Sequence, residues 1–532
     1  MMTFIFRTFL VSLCFMGGAW AGSQDLVYCA EGSPDFLTPS ISNTATSFDV
    51  TQQIFDNLVT FDAGTTQLHP ALATRWQVSA DGLRYTFHLR RGVKWQSNAK
   101  FKPTRDFNAD DVIFTFERSW KPQHPYFHVT HAEHPYFNDM AMQDVLKTIR
   151  KIDAYTVEFV LNEPLAPFVA NLAMSWAGIQ SAEYGAAMLK ARSPELVDQM
   201  PLGTGPFQWE SYQKDVAVVF KGFAKHWAGA PRLDRLTFLI DTDATSRLAK
   251  LRSGQCHVLG HPNPADIPSM RQNNQLKVLS QTGLNVGFMA YNMSQKPFDD
   301  VRVRRALNMA IDKRRILRTV YQHTAVPAIS AIPPIQWGYN RDLSDNDFQP
   351  EAAKKLLAEA GYPDGFSTDL WAMPVQRPYM PDGVAVAQLI REDLAAIGVK
   401  VDIKSPEWSR YVQGMKAGEH HMGLFGWVGD NGDPDNFLNT LLGCDSMKGF
   451  NVARFCDPQY DDLVKQAKRI SNIEQRSRLY QRAQALAKTQ APWFNIAHTV
   501  QFKAVRREVV GFEMSPVGRL SFHKVYLKTP TP

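Results

Sequence analysis

What is missing from this chain of 532 residues narrows its function first. There is no Gly-x-Ser-x-Gly elbow and no His-Glu-x-x-His pair, so neither an α/β-hydrolase nucleophile nor a zinc-peptidase helix is present. Gly203-Thr204-Gly205 lacks the following Lys and Ser/Thr of a phosphate loop and reads as a turn. Basic runs are missing too: 58 Lys and Arg against 52 Asp and Glu give a dispersed net charge of +6, which lends no support to nucleic-acid binding. Repeats, low-complexity tracts and long Pro/Gly/Ser linkers are lacking, so the domains are expected to share one body. Past the N-terminus, no uncharged apolar stretch approaches the roughly 20 residues of a membrane-spanning helix.

What is present begins with a leader. In residues 1–21, Arg7 precedes an apolar run that ends in Ala19-Trp20-Ala21, the pattern of an export signal cut before Gly22. Leu13, rather than a small residue, precedes Cys14, which argues against a lipid anchor there. Four cysteines would survive cleavage: Cys29, Cys256, Cys444 and Cys456. An even number in an exported chain favours two disulfides, with three connectivities open. The length suggests roughly two to four domains.

Periodicity points to a mixed α/β chain. Arg84–Leu89 and Thr156–Leu161 alternate β-branched or aromatic residues with polar ones and read as strands. Pro350 opens a helix with Ala353, Leu356, Leu357 and Ala360 on one face and Gly361 as its stop. Val384–Ile397 repeats the pattern, stops at Gly398 and leads into a strand over Val399–Ile403. Tyr460–Ala487 reads as two polar-faced helices parted near Ser471.

Several segments then fall in a familiar order. They are Pro70–Trp76 with Asp81-Gly82 and Tyr85–Trp95, Asn108–Val112, Gly203–Phe207, Asn263–Ile267, Asp300–Leu307 and Gly432–Phe437. Together they resemble the extracytoplasmic peptide-binding receptors that serve ABC importers, solute-binding protein family 5, across almost the whole mature chain. Leu370–Tyr379 and Gly426–Asp430 are similar to the ligand-binding stretches of its dipeptide-binding members.

The resemblance implies a two-lobed periplasmic binding protein fold with a hinge and an additional small subdomain. Lobe I would comprise 22–60, 201–281 and 497–532, the subdomain 61–200, and lobe II 282–496. It selects Cys29 with Cys256 and Cys444 with Cys456. It implies a non-enzymatic periplasmic receptor, acting as a monomer without cofactor or metal, that captures dipeptides by lobe closure and delivers them to an inner-membrane ABC permease.

A dipeptide is a zwitterion whose charges need partners if they are to leave water. By resemblance Asp430 meets the ammonium and Arg377 the carboxylate, for which a planar guanidinium fork is suited. Trp427, Gly429, Tyr379 and Met373 are expected around the ligand. Asn43-Thr44-Ala45 stands where the family touches ligand backbone, although these residues depart from the dipeptide-binding pattern. The alternatives keep the fold and change the cargo to haem, glutathione, or longer or antimicrobial peptides; a further one is an exported hydrolase. His124, His128, His131 and His134 cluster between prolines and invite a metal or haem-iron reading, but lack a Cys or carboxylate partner and read as a polar loop. Asp430, Asp433 and Asp435 miss the EF-hand spacing.

Overall fold

The computed structural model describes residues 24–528 apart from 43, 63, 130–133 and 323. The leader, Asn43 and His131 therefore lie outside the described residues.

Local sequence signals translate directly into elements. Pro350–Glu359 is helical, and the chain leaves it through Gly361 at φ +99°, a conformation that only glycine adopts without strain. In Gly383–Ala395 the N-cap Asp382 accepts the Ala385 N–H, and the left-handed Gly398 turns the chain into the strand Lys400–Lys404. That strand runs parallel to Ser367–Trp371, so strand, helix and strand form a crossover unit. Pro458–Arg469 and Ile473–Gln490 flank Ser471, each opened by its own cap, Asp457 and Asn472. Arg84–Leu89 and Thr156–Leu161 pair antiparallel within a four-stranded sheet completed by Ala73–Val78 and Leu146–Asp153.

Among the described residues, twelve strands join one continuous sheet. Its two halves share the strand Trp493–Arg506. The first part of that strand pairs with Asn285–Tyr291 and Ala325–Pro327, the second with Val258–Leu259 and Leu276–Thr282. One half continues through Met422–Val428 to Ser367–Trp371 and Lys400–Lys404; the other continues through Asp25–Ala30 to Arg235–Ile240, Ala217–Gly222 and Phe207–Gln213.

Separate apolar cores support these parts. The largest is built from residues between Leu284 and Ala497, a second from residues between Leu58 and Leu202, and a third joins Leu26–Val258 positions to Val505–Val525. Cys29–Cys256 and Cys444–Cys456 are the disulfides, the pairing the resemblance selects. The first ties Asp25–Ala30 to the segment entering its parallel neighbour Val258–Leu259.

The chain passes between the two half-sheets at Thr282–Asn285 and again along 497–500. At this double crossing the buried Asn285 side chain takes over from the ladder: its Oδ1 accepts the Thr499 N–H at 2.9 Å and its Nδ2 donates to Thr499 O at 3.4 Å. Gly283 makes room for that amide, since a Cβ there would stand 2.2 Å from Asn285 Nδ2. Gly283→Ala should displace the amide and leave the buried Thr499 N–H without its acceptor, lowering unfolding free energy by about 1–3 kcal/mol. Urea denaturation measures this; an unchanged midpoint would remove the crossing from the list of stability determinants.

Candidate functional site

The strand Met422–Val428 sits inside its half-sheet, flanked by Asn285–Tyr291 and Ser367–Trp371, and its first five residues are buried. Where it leaves the sheet, the Gly429 N–H still donates to Leu284 O at 2.7 Å. A Cβ on Gly429 would collide with Phe437 and Leu284 at 2.5 and 2.7 Å, so the exit path admits only glycine. Asp430 follows at once.

Its position is fixed by the loop that returns to the helix Asp435–Leu442. Asn436 reaches back from the first turn of that helix: its Oδ1 accepts from Trp427 Nε1 at 2.9 Å and from the Asp430 N–H at 3.1 Å, while its Nδ2 donates to Asp430 Oδ2 at 3.3 Å. Asp433 is gripped bidentately by Arg476, both contacts at 2.8 Å and both side chains buried. Gly432 O accepts from Gln336 Nε2 and from Trp337 Nε1. Asn431 Nδ2 donates to Asn171 Oδ1 at 2.7 Å, linking the loop to the core built from residues 58–202.

Asp430 lines two adjoining cavities. The larger, about 890 Å³, has walls of mixed polarity that include Trp427, Asn436, Lys416 and Lys468 together with Tyr136, Asp144 and Glu163. The smaller, about 230 Å³, has mainly apolar walls that include Phe48, Phe61, Trp176 and Val428 and contains Ala45, Gly429 and Arg519. Val428 is 40% exposed, an apolar side chain turned to open space rather than core.

The other expected residues are distributed as follows. Trp427 lines the larger cavity, edge-on to Phe450 at 4.9 Å. Thr44 caps the helix Ala45–Ile54, its Oγ1 accepting the Ser47 N–H at 3.3 Å. Arg377 is half-buried in a tight turn in which it exchanges backbone hydrogen bonds with Met380, and its guanidinium lies 4.4 Å over the Trp408 ring. It borders neither cavity. Tyr379 and Met373 are buried in the apolar core that includes Leu284 and Ala497. The Tyr379 ring occupies the space left by Gly426, where a Cβ would approach it to 2.1 Å, and burial pushes its hydroxyl up to about 12. Gly383 lets the Met373 backbone approach closely, since a Cβ there would stand 2.8 Å from Met373 O.

The histidines do not converge. His134 is buried against Ser119 Oγ and Ser40 O, whereas the His124 Nδ1 accepts the Tyr126 N–H; burial, then Arg118, lowers His124 to about 4. Among the described residues, no group of three or more His, Cys, Asp or Glu side chains is placed to hold a metal.

The residues that position Asp430 were not legible as such. Asn436 lies within the recognised Gly432–Phe437 run, but its backward reach requires the helix to begin at Asp435. Arg476 reads in sequence as one more charge on a polar-faced helix, and nothing local marks its burial on Asp433.

Asp435 offers a test of the electrostatics. Burial raises its carboxyl from 3.8 to about 6, Lys468 partly opposing the rise, and its Oδ1 has no hydrogen-bond partner. A folded-state pKa above the unfolded one means that the group's contribution is full below about pH 4, declines as pH rises to about 6 and is level beyond. Asp435→Asn should thus gain on the natural protein between pH 4 and 6, by on the order of 2 kcal/mol. Urea unfolding at successive pH values checks it; a pH-independent difference would show that Asp435 is not desolvated.

The comparisons agree with this architecture. Residues 67–449 match the family described as bacterial extracellular solute-binding proteins, family 5 Middle. The chain is 46% identical over 508 residues to the dipeptide-binding protein of Escherichia coli (strain K12), covering 95% of each. It is 44% identical over 506 residues to heme-binding protein A of Haemophilus influenzae, covering 95% of this chain and 92% of that one. The structure of HbpA2 from Haemophilus parasuis superposes with a TM-score of 0.93 at 40% identity, over 95% of this chain and 100% of that chain. The dipeptide-binding protein from Pseudoalteromonas sp. SM9913 in complex with Met-Leu gives 0.75 at 37% identity, with the same coverage. With this match across the chain and the two half-sheets joined at a double crossing, the chain belongs to family 5 of the bacterial extracellular solute-binding proteins and has their two-lobed fold.

Proposed function

We propose that this protein is a periplasmic receptor that captures dipeptides between its lobes and delivers them to an inner-membrane ABC permease. The observation that carries the reading is Asp430: a carboxylate held by a rigid loop at the junction of two cavities, in a chain whose relatives include dipeptide-binding proteins. A carboxylate so placed suits the ammonium of a peptide, and Arg377, in the turn beyond the neighbouring strand Ser367–Trp371, suits its carboxylate.

In this reading, residues 22–60, 201–281 and 497–532 form lobe I, 61–200 the subdomain and 282–496 lobe II. The lower TM-score with the Met-Leu complex than with HbpA2, at nearly equal identity, fits a difference in lobe angle. Closure about Thr282–Asn285 and 497–500 then completes the site around Arg377, as hinge-bending receptors do. Two charged anchors in a shut cleft measure length, because each added residue extends a peptide by about 3.3–3.6 Å. Residues 1–21 act as the export signal, and the protein works as a monomer without catalysis.

Arg377→Ala should weaken dipeptide binding roughly 30-fold or more, with little change in the melting point of the unliganded protein. Calorimetric titration reads the affinity, and equal affinity in the variant excludes Arg377 from the site. N-acetylated dipeptides should lose affinity because they bring no ammonium to Asp430; tight binding of one would reassign that carboxylate. Mass analysis after incubation should return the peptide intact, whereas fragments would point to a hydrolase. The relative named heme-binding protein A favours haem as a second reading. A thermal shift with haemin but with no dipeptide would select it.

A further inference from the structure

The smaller cavity contains a cation that the anchoring of a peptide's two ends does not use. Arg519 enters it from the C-terminal segment, in mostly apolar surroundings. Its Nη1 donates to the neutral Thr60 Oγ1 at 2.5 Å, and among the described residues no carboxylate pairs with it. A guanidinium has five N–H donors, so most of its capacity is unspent on the described protein groups.

The other polar groups nearby satisfy one another. Gln52 Nε2 donates to Ser175 Oγ at 2.6 Å, and Gln52 Oε1 accepts the Leu520 N–H at 3.0 Å. Asp56 is the acid whose field reaches Arg519, but its Oδ2 is taken up by Trp227 Nε1 at 2.8 Å and Thr204 Oγ1 at 3.0 Å, with His226 Nε2 at 3.5 Å. Asp49 also borders the cavity, and burial raises its carboxyl to about 8, Lys503 opposing, so it is largely protonated at neutral pH and supplies little counter-charge. The same desolvation bears on Arg519, whose guanidinium it pulls below its ordinary range.

Asp430 lines this cavity too. Resting on the assignment of Asp430 to a ligand's ammonium, we propose that the cavity is the side-chain pocket for the ammonium-bearing residue, and that Arg519 makes it selective for an acidic one. The amine and the side chain leave the same α-carbon. Whatever stands against Asp430 must therefore direct its side chain into a space beside Asp430, and this one offers apolar walls for methylenes with a guanidinium for a terminal carboxylate. Both charges of an N-terminal Asp or Glu residue are then met by opposite charges of the protein, whereas an amide or aliphatic side chain leaves the guanidinium desolvated and unpaired.

Titration calorimetry with Ala-Ala, Glu-Ala, Gln-Ala, Ala-Glu and Ala-Gln tests the proposal. Glu-Ala should bind the natural protein about tenfold more tightly than Gln-Ala, the usual advantage of a charge-assisted over a neutral hydrogen bond. In Arg519→Met the ratio should fall to about one, and in Arg519→Lys, which keeps the charge and loses the fork, to an intermediate value. The ratio in the natural protein stands without either variant, should one fail to fold. If Ala-Ala binds but Glu-Ala has no advantage, the pocket assignment is overturned and the dipeptide reading survives. An advantage that persists in Arg519→Met, or that Ala-Glu shows equally over Ala-Gln, also overturns it. If none of the peptides binds, the dipeptide reading itself is lost and this proposal with it.

Discussion

A bidentate pair, Arg476 on Asp433, holds the loop on which the site depends. Both members are buried, and each is held at 2.8 Å by two parallel contacts. Such a pair adds little net stability compared with apolar residues of the same shape, because desolvation consumes most of the Coulomb gain. What it supplies is position. With Asp433 fixed, Asn431, Gly432 and Asn436 have one arrangement in which their hydrogen bonds are made, and in it Asp430 projects where two cavities meet. A carboxylate held in advance needs little reorganisation when a cation arrives, which is the economy that preorganised sites share.

The second constraint is that this loop sits at the end of a sheet that is not confined to one lobe. Trp493–Arg506 contributes to both half-sheets, so they are joined by a shared paired strand rather than by a flexible linker. At the crossing the Thr499 N–H is met by the Asn285 side-chain amide, while Thr499 O still accepts the Gly283 N–H at 2.8 Å. A side chain can follow a change in lobe angle by rotating about its own bonds, whereas a regular ladder would shear. The crossing thus combines limited freedom with satisfied buried polar groups.

Much of the fold was legible because it rests on local rules. Gly361 and Gly398 end helices since a left-handed residue is needed there, and Asp382, Asp457 and Asn472 start helices by accepting orphan N–H groups. Alternation marked Arg84–Leu89 and Thr156–Leu161, though not that they would be paired. The candidate site residues come only from resemblance. Asp430 and Trp427 border a cavity, while Arg377 packs on Trp408, Tyr379 fills a notch left by Gly426, and Met373 is buried in the core. Whether an aromatic ring fills a core or walls a pocket depends on distant glycines such as Gly426, and no spacing within Leu370–Tyr379 encodes that. Arg519 is not legible for a related reason: a single arginine carries no pattern, and that no carboxylate among the described residues pairs with it is a property of the folded chain.

The division of labour between the cavities follows from their linings. A peptide's ends are constant from one ligand to the next, so rigid, charge-bearing elements suit them: Asp430 on its braced loop and, in the proposed closed form, Arg377. Its side chains vary, and they need space and adaptable contacts. The 890 Å³ cavity carries several charged and amide groups and is roomy enough to keep water, which can re-form hydrogen bonds to different groups without discriminating strongly among them. The 230 Å³ cavity is smaller, mostly apolar, and holds one cation without a carboxylate of its own among the described residues. Water there has fewer polar partners, so a mismatched side chain leaves a larger deficit. If discrimination among dipeptides is exerted anywhere in this cleft, the physics places it on that side of Asp430.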